Sequence, residues 1–473
     1  MQEVTQVKRL ENLTKDKIFD SVDEFIYSYF YPVVLALITV VCYVYKLQLG
    51  GIALFFLLGS YILATHRDAT PLLPILLFFI FLIRDMSVTG SLVFYLMIIL
   101  PAICLIIHFI RFPLKHFNFG RLFLPLCVVT VALFLGGVLS PYVTAYAEGI
   151  LYTIPLGPVL LIIYLYFANY VEYPEDFEIR QYFAFLLCLI GFIVSFEFLY
   201  YDYNHNVLEN NLFTNSEMGC GNVNMVGTML LIAIPATCYL LVKADNVYPY
   251  VLTVLAFYFI IYKTGSDGCL GFACAFLPIL AFFVFIRTKG KNHTRFKYIT
   301  LTTLILVILF LILLIVKEKT SFITDIINKA KNSDSGRTAL YNDAVRIFLE
   351  NPLFGAGFGY HNHQLYSPVG SGGLRLYNSH STLFQVMGSL GLTGLVAYTY
   401  YFYSRFRVLM DNPSDFNLFL CISFIMCSCY GFVDTVEFST IPTMIVLTLL
   451  ILTTEFSNAE KKTVYPINKK FKK

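Results

Sequence analysis

Long apolar runs separated by short polar segments make up most of the chain. A helix needs about 20 apolar residues to cross the hydrocarbon core of a bilayer, and fourteen segments approach this length. They lie near residues 25–45, 50–65, 70–84, 91–110, 122–139, 149–169, 180–199, 223–242, 248–263, 267–286, 298–316, 381–402, 416–433 and 438–455. The second and third are short and could instead form a re-entrant pair. The pattern therefore predicts twelve to fourteen transmembrane helices, because such runs are too long for the strands of a barrel.

The composition points to the same class of protein. Hydrophobic residues make up 58% of the 473 residues and charged residues only 13%, with a mean hydropathy of +0.71. A soluble domain carries about 25% charged residues, so this chain could not cover a surface that faces water. We therefore expect an all-α, polytopic integral membrane bundle. The net charge of +3 is too small to indicate a nucleic-acid partner. The eleven cysteines lie mostly inside apolar runs and lack the spacing of a metal site, so we expect them to be buried.

The distribution of cations predicts the orientation in the membrane. With a cytoplasmic amino terminus, the short inner loops hold thirteen Lys and Arg residues and the short outer loops hold three. The positive-inside rule then places both termini in the cytoplasm. The predicted parts are a cytoplasmic segment, eleven spans, an extracytoplasmic loop, three spans and a basic cytoplasmic tail, at residues 1–24, 25–316, 317–380, 381–455 and 456–473. The basic tail suits the anionic membrane lipids of the inner leaflet.

The long loop at residues 317–380 differs from the short connections elsewhere. Its first half predicts an amphipathic helix that is capped by Asp334 or Ser335 and stopped at Asn351-Pro352. The apolar stripe of this helix consists of Leu340, Ala344, Ile347 and Phe348. Such a helix would lie along the membrane surface or over the mouth of a cavity.

The second half of the loop is rich in glycine and histidine. Gly355, Gly357 and Gly359 alternate with other residues, which permits tight backbone turns near a ligand. The candidate functional residues in and beside the loop are Arg337, Tyr360, His361, Arg375 and His380. An ionisable residue at the entrance of a span is costly unless it has a function, and this favours a role for His380. For the arginines the alternative is contact with lipid headgroups, and for His361 it is exposure to water.

Several motifs resemble the bacterial O-antigen ligase and polymerase superfamily, and they occur in that family's order over about 60 residues. They are Gly336-Arg337, Asn351-Pro-Leu-Phe-Gly-Ala-Gly-Phe-Gly359, Asn378-Ser-His380-Ser-Thr-Leu-Phe and Gly388-Ser-Leu-Gly-Leu-Thr-Gly394. Gly221-Asn-Val-Asn224 also resembles the family's entry to a mid-chain span, which makes Asn224 a candidate for substrate binding.

The resemblance implies an inverting, metal-independent glycosyltransferase without a cofactor, in the bacterial cytoplasmic (inner) membrane. Its donor would be a polyprenyl diphosphate-linked oligosaccharide on the outer leaflet, and its acceptor a glycan or a lipid, in capsule or O-antigen-like polysaccharide biosynthesis. By the same resemblance Arg337 contacts the donor diphosphate, and His380 activates the acceptor hydroxyl.

Two positions depart from the family pattern. Ser381 follows His380 where the family has Asn, and Asp267 stands where it commonly has a second arginine. Lys263 or Arg375 could supply the missing positive charge.

The chemistry of these residues suits cleavage of a sugar–diphosphate bond. Negative charge develops on the leaving group, and arginine binds phosphate well. A neutral histidine can take the proton of an attacking hydroxyl, which typically accelerates a reaction by roughly 10²–10⁴-fold. The chain has no Asp-x-Asp pair to hold magnesium. The sequence leaves open whether the enzyme is a polymerase or a ligase, and a flippase or other polysaccharide transporter is the main alternative.

Overall fold

A computed structural model describes most of the chain, and every regular element in the described part is a helix. The described residues are 22–83, 92–139, 153–173, 177–207, 222–299, 337–357, 379–411, 414–436 and 441–458. Clustering of backbone contacts divides the chain into two compact units. The predicted all-α membrane bundle is confirmed.

The first unit comprises residues 1–117, 169–222 and 461–473. Its helices are α1 (Phe30–Val44), α2 (Gln48–Thr65), α3 (Leu72–Leu82), α4 (Leu92–Arg111) and α7 (Ile179–His205). Within this unit α1 packs against α3 and α7, and α2 packs against α4.

The second unit comprises residues 118–168 and 223–460. Its helices are α5 (Phe123–Leu135), α6 (Leu160–Tyr170, of which the last two residues fall in the first unit), α8 (Val223–Lys243), α9 (Tyr248–Thr264), α10 (Asp267–Arg287), α11 (Arg337–Glu350), α12 (Thr382–Met410), α13 (Asp415–Tyr430) and α14 (Ile441–Asn458). Helix α8 is apolar on all sides and almost wholly buried, as expected of a central helix. It packs against α9, α10 and α13, whereas α12 packs against α5, α11, α13 and α14.

The predicted spans coincide with helices wherever the structure describes them. The exception is the eleventh, near 298–316, which lies almost entirely outside the described residues. Five of the described helices are long and apolar enough to cross a membrane, and several others are apolar but shorter. The third predicted span is a helix of only 11 residues, which is about 16 Å long and about half the thickness of the hydrocarbon core.

Helix α12 contains a break at Gly391, where the backbone has φ 61° and ψ −150°. An intact helix would join the N–H groups of residues 392 and 393 to the carbonyls of residues 388 and 389. Instead, Leu392 N–H donates to Pro352 O (2.8 Å) and Thr393 N–H donates to Leu353 O (3.1 Å). The carbonyls of residues 388 and 389 accept from the N–H groups of residues 356 and 357, at 2.9 Å each. The turn after α11 thus replaces the hydrogen bonds lost at the break, which a membrane helix requires.

Glycine is required on both sides of this contact. Gly355 has φ +65°, and a Cβ atom there would lie 2.4 Å from the carbonyl carbon of Ser389. A Cβ atom at Gly391 would lie 2.6 Å from the nitrogen of Gly355. The alternating glycines that the sequence associated with tight turns therefore serve, at positions 355 and 357, to bring one backbone against another.

Ion pairs join the helices of the second unit at one end. Lys243, at the end of α8, lies 3.1 Å from Asp415 Oδ2, and Arg287, at the end of α10, lies 3.4 Å from Asp415 Oδ1. Arg121 pairs with Asp411 near the end of α12. The first residues of α8, α10 and α12 and the last residues of α13 therefore lie at the opposite end of this unit.

Candidate active site

The predicted loop helix is present as α11, and it begins with Arg337. Its apolar stripe packs against α12, and Ala344 and Ile347 are buried. A Cβ atom at Gly388 would lie 3.6 Å from Ala344 Cα, so the two helices approach closely at small residues. This contact places the first turn of α11 beside the entrance of α12.

His380 lies immediately before α12 in a left-handed conformation, with φ 49°. Few residues other than glycine adopt the left-handed region, although His does so more often than most. Its neighbours Ser379 and Ser381 are buried, and Ser379 donates to Gln385 Oε1 through both N–H and Oγ. The imidazole itself is 41% exposed. The chain thus holds the backbone on both sides of His380 and leaves its ring open to a substrate.

Asp434 is the charged partner of His380. Its Oδ1 atom lies 3.5 Å from His380 Nδ1, and its side chain is only 10% exposed. Thr382 N–H donates to Gly431 O (2.7 Å) and to Asp434 O (3.2 Å), which ties the start of α12 to the segment after α13. The relative position of the carboxylate and the imidazole is therefore determined by the backbone.

The surroundings of Asp434 keep its carboxylate charged. Burial alone would raise its pKa, but the contacts with His380, Thr435 and Tyr430 together outweigh burial. The N–H of Thr435 and the hydroxyl of Tyr430 also donate to the carboxylate, at 2.8 Å and 3.1 Å. Together these contacts hold the pKa of Asp434 below its ordinary value.

Tyr341 connects Arg337 with His380. Its hydroxyl donates to the His380 carbonyl at 3.2 Å, and its ring stacks on Phe384 with centroids 4.4 Å apart. Burial raises the pKa of Tyr341, and the nearby charge of Arg337 opposes that rise. Tyr341 therefore lies within the electrostatic reach of Arg337 and within hydrogen-bond distance of the His380 carbonyl.

Arg337 has no ion-pair partner among the carboxylates of the described segments. Arg346 on the same helix differs, because it pairs with Asp343 (3.4 Å) and Glu350 (3.3 Å). An arginine whose charge is not already neutralised by such a carboxylate is suited to bind an anionic ligand.

A second group of polar side chains lies behind Asp434. Ser266, which precedes α10, donates to Asn224 Oδ1 at 2.8 Å, and its Oγ lies 3.5 Å from the hydroxyl of Tyr430. Tyr430 in turn donates to Asp434. Asn224 and His380, both singled out in the sequence, are thus connected through three intervening side chains.

Of the remaining candidate residues from the sequence, the structure describes only one. Lys263 lies in the last turn of α9, three residues before Ser266, at the same end of the second unit. Tyr360, His361 and Arg375 lie outside the described residues.

Sequence reasoning missed Asp434, Tyr430, Tyr341 and Ser266. Asp434 had a detectable signal, because an acidic residue at the end of an apolar span is costly without a partner. The hydroxyl residues had none, because tyrosine and serine are common in this chain and carry no motif.

Comparison with known proteins bears on the family that the chain resembles. Residues 251–399 match the model of the O-antigen ligase family. The match confirms the resemblance. It includes α11, Arg337, His380 and the first part of α12, and it supports a membrane enzyme of the O-antigen ligase or polymerase type that acts in polysaccharide biosynthesis. A search of curated proteins found no match. Asp434 and Asn224 lie outside the matched segment, so their place in the site rests on the structure.

Proposed function

We propose that this protein is an inverting, metal-independent glycosyltransferase that uses a polyprenyl diphosphate-linked glycan as its donor. One observation carries the proposal: His380, paired with Asp434, lies beside the helix that begins at Arg337. A general base and a phosphate-binding cation are the two groups that this reaction requires.

His380 acts on the acceptor. When Nδ1 carries a proton that faces Asp434, the other ring nitrogen, Nε2, carries the lone pair that accepts a proton. It removes the proton of the acceptor hydroxyl while the hydroxyl oxygen bonds to the anomeric carbon of the donor. Asp434 stabilises the imidazolium that forms.

Arg337 acts on the leaving group. As the bond between the anomeric carbon and the diphosphate oxygen breaks, that oxygen gains negative charge, and polyprenyl diphosphate departs. The guanidinium stabilises this charge by paired hydrogen bonds. Arg375 and Lys263 remain candidates for a second cation, with Tyr360, His361 and Asn224 as candidates for binding the glycan.

The position of the site favours the outer leaflet. His380, Asp434 and Arg337 lie at the end of the second unit opposite to Lys243 and Arg287. Because cations accumulate in cytoplasmic loops, the end that carries the site faces outward in the bacterial cytoplasmic membrane, and both termini face the cytoplasm.

The experiment uses the protein purified in detergent, with lipid-linked glycan extracted from cells in which the protein is deleted. We expect the wild type to form glycan products and release polyprenyl diphosphate, and His380→Ala and Arg337→Ala to form none. Arg346→Ala on the same helix and His293→Ala at the opposite end of the second unit serve as matched controls with wild-type output. Wild-type product formation by His380→Ala or Arg337→Ala would refute the assignment.

The same assay separates the enzyme from a flippase, because a transporter leaves the donor chemically unchanged when there is no compartment to cross. The products of a deletion strain distinguish the two enzyme types. Glycans of a single repeat indicate the loss of a polymerase, whereas long unattached chains indicate the loss of a ligase.

A further inference from the structure

Three helices contribute side chains to the polar group behind Asp434. Asn224 comes from the first turn of α8, Ser266 precedes α10, and Tyr430 ends α13. Tyr430 is 2% exposed and Ser266 is 6% exposed, so the polar contacts of this group are shielded from water. Buried polar groups that connect helices at this depth are retained where they set a geometry.

The packing around Tyr430 holds its ring in one position. A Cβ atom at Gly268 would lie 2.9 Å from Tyr430 Cε2, so glycine is needed for the ring to lie against α10. Phe272, one turn later on the same helix, meets the ring edge-on with centroids 6.2 Å apart. With the ring fixed in this way, its hydroxyl points to Asp434 Oδ2.

We propose that Tyr430 is a positioning residue for the reaction, held by its packing against α10 and contacted by Ser266, which acts through Asp434 on the basicity and orientation of His380. The inference rests on the proposed function and extends it to a buried residue of α13. The two oxygens of the Asp434 carboxylate have different neighbours. Oδ2 accepts a hydrogen bond from Tyr430, and Oδ1 faces His380.

The direction of the effect follows from the bond to Oδ2. A donor on a carboxylate stabilises its negative charge and weakens its attraction for other protons. Without the phenol hydroxyl, Asp434 attracts the imidazolium proton more strongly and is less well oriented. The acid limb of the rate profile then moves to higher pH. The titratable side chains that interact with Asp434 in the described part of the chain are His380, Tyr341, Tyr430 and Cys269. The charge of Arg337 interacts with Tyr341.

The test is the pH dependence of kcat for Tyr430→Phe, which removes one oxygen and keeps the ring against Gly268. We expect kcat to fall about tenfold and the acid limb of the profile to move up by about half a pH unit. The KM for lipid-linked glycan should stay within twofold of the wild-type value, because Tyr430 does not touch the donor. Ser266→Ala should move the limb in the same direction by a smaller amount.

Tyr401→Phe is the matched control. Tyr401 is also buried, and its hydroxyl lies 3.4 Å from Thr448 Oγ1, away from the site. Its removal should leave the acid limb in place, whatever it does to stability.

The outcomes separate this inference from the proposed function. If His380→Ala is inactive and the acid limb of Tyr430→Phe coincides with that of the wild type, or moves to lower pH, then Tyr430 does not act through Asp434 and the inference is wrong. If His380→Ala is fully active, the proposed function itself fails. If Tyr430→Phe does not fold, the pH profile of Ser266→Ala is the test. An acid limb in that variant that coincides with the wild-type limb overturns the inference.

Discussion

Replacing Asp434 by asparagine removes the charge beside His380 and keeps the size of the side chain. The atoms Oδ1 and Nδ1 are 3.5 Å apart. At that separation two unit charges attract by about 1 kcal/mol in a water-like medium and by about 5 kcal/mol at an effective dielectric constant of 20. Because the imidazole is 41% exposed, the lower part of this range applies, at about 1–2 kcal/mol. This is equivalent to a movement of about one pH unit in the acid limb of the rate profile.

The sign of the change follows from the charge that is lost. Asp434 attracts a positive charge on the imidazole, and Asp434→Asn removes this attraction. The acid limb of the rate profile therefore moves down by about one pH unit, in the opposite direction to Tyr430→Phe. Because the pKa of Asp434 lies below its ordinary value, its carboxylate stays charged throughout an assay above about pH 5, and the limb is not its own titration.

The maximal rate should fall as well. An amide cannot stabilise the imidazolium that forms as the acceptor loses its proton, and it can hold the ring in the wrong tautomer. Replacing the carboxylate partner of a catalytic histidine by an amide can cost about 10⁴ in kcat.

The assay measures release of polyprenyl diphosphate from lipid-linked glycan between about pH 5 and 9, a range chosen to bracket the titration of histidine. Asp415→Asn is the matched control, because that carboxylate pairs with Lys243 and Arg287 at the opposite end of the unit. An Asp434→Asn enzyme with wild-type kcat and an unmoved acid limb would refute a catalytic His380–Asp434 pair.

Two further predictions concern α11 and the turn that follows it. Tyr341→Phe keeps the ring stacked on Phe384 and removes the bond to the His380 carbonyl, so kcat should fall by about three- to tenfold while the donor KM stays unchanged; a higher donor KM with unchanged kcat would contradict this role. Gly355→Ala forces a Cβ atom to 2.4 Å from the backbone of α12 at a positive φ, which should destabilise the second unit by about 2 kcal/mol or more in thermal unfolding in detergent. The control for the second variant is Gly271→Ala, where a Cβ atom meets nothing within 4 Å and stability should be kept or slightly raised. Equal stability of the two alanine variants would show that the turn does not hold α12.

Much of the fold could be predicted from the hydropathy and the helix-ending residues along the chain. The predicted spans agree with helices throughout the described segments, and the loop helix runs from Arg337 to Glu350, just before the Asn351-Pro352 stop. These predictions succeed because a membrane helix satisfies its own backbone, so that length and hydropathy along the chain decide it.

Features that depend on contacts between separate segments could not be predicted in this way. The break at Gly391 was not predicted, because its hydrogen bonds go to Pro352 and Leu353 rather than to the neighbouring turn of the same helix. Asn224 was predicted as a substrate-binding residue from its motif, and that role remains a proposal, but its bond to Ser266 could not have been predicted.

By itself the sequence determined the class of protein, the position of most helices, the end of the bundle expected to face outward, and two residues, Arg337 and His380, with suitable chemistry. Only the tertiary structure decided that Asp434 and Tyr430 stand behind His380, and that Tyr341 links it to Arg337. The physical reason is that hydropathy acts residue by residue along a helix, whereas these contacts join separate helices. Such contacts depend on how the helices are rotated and packed, and no spacing within a single segment records that.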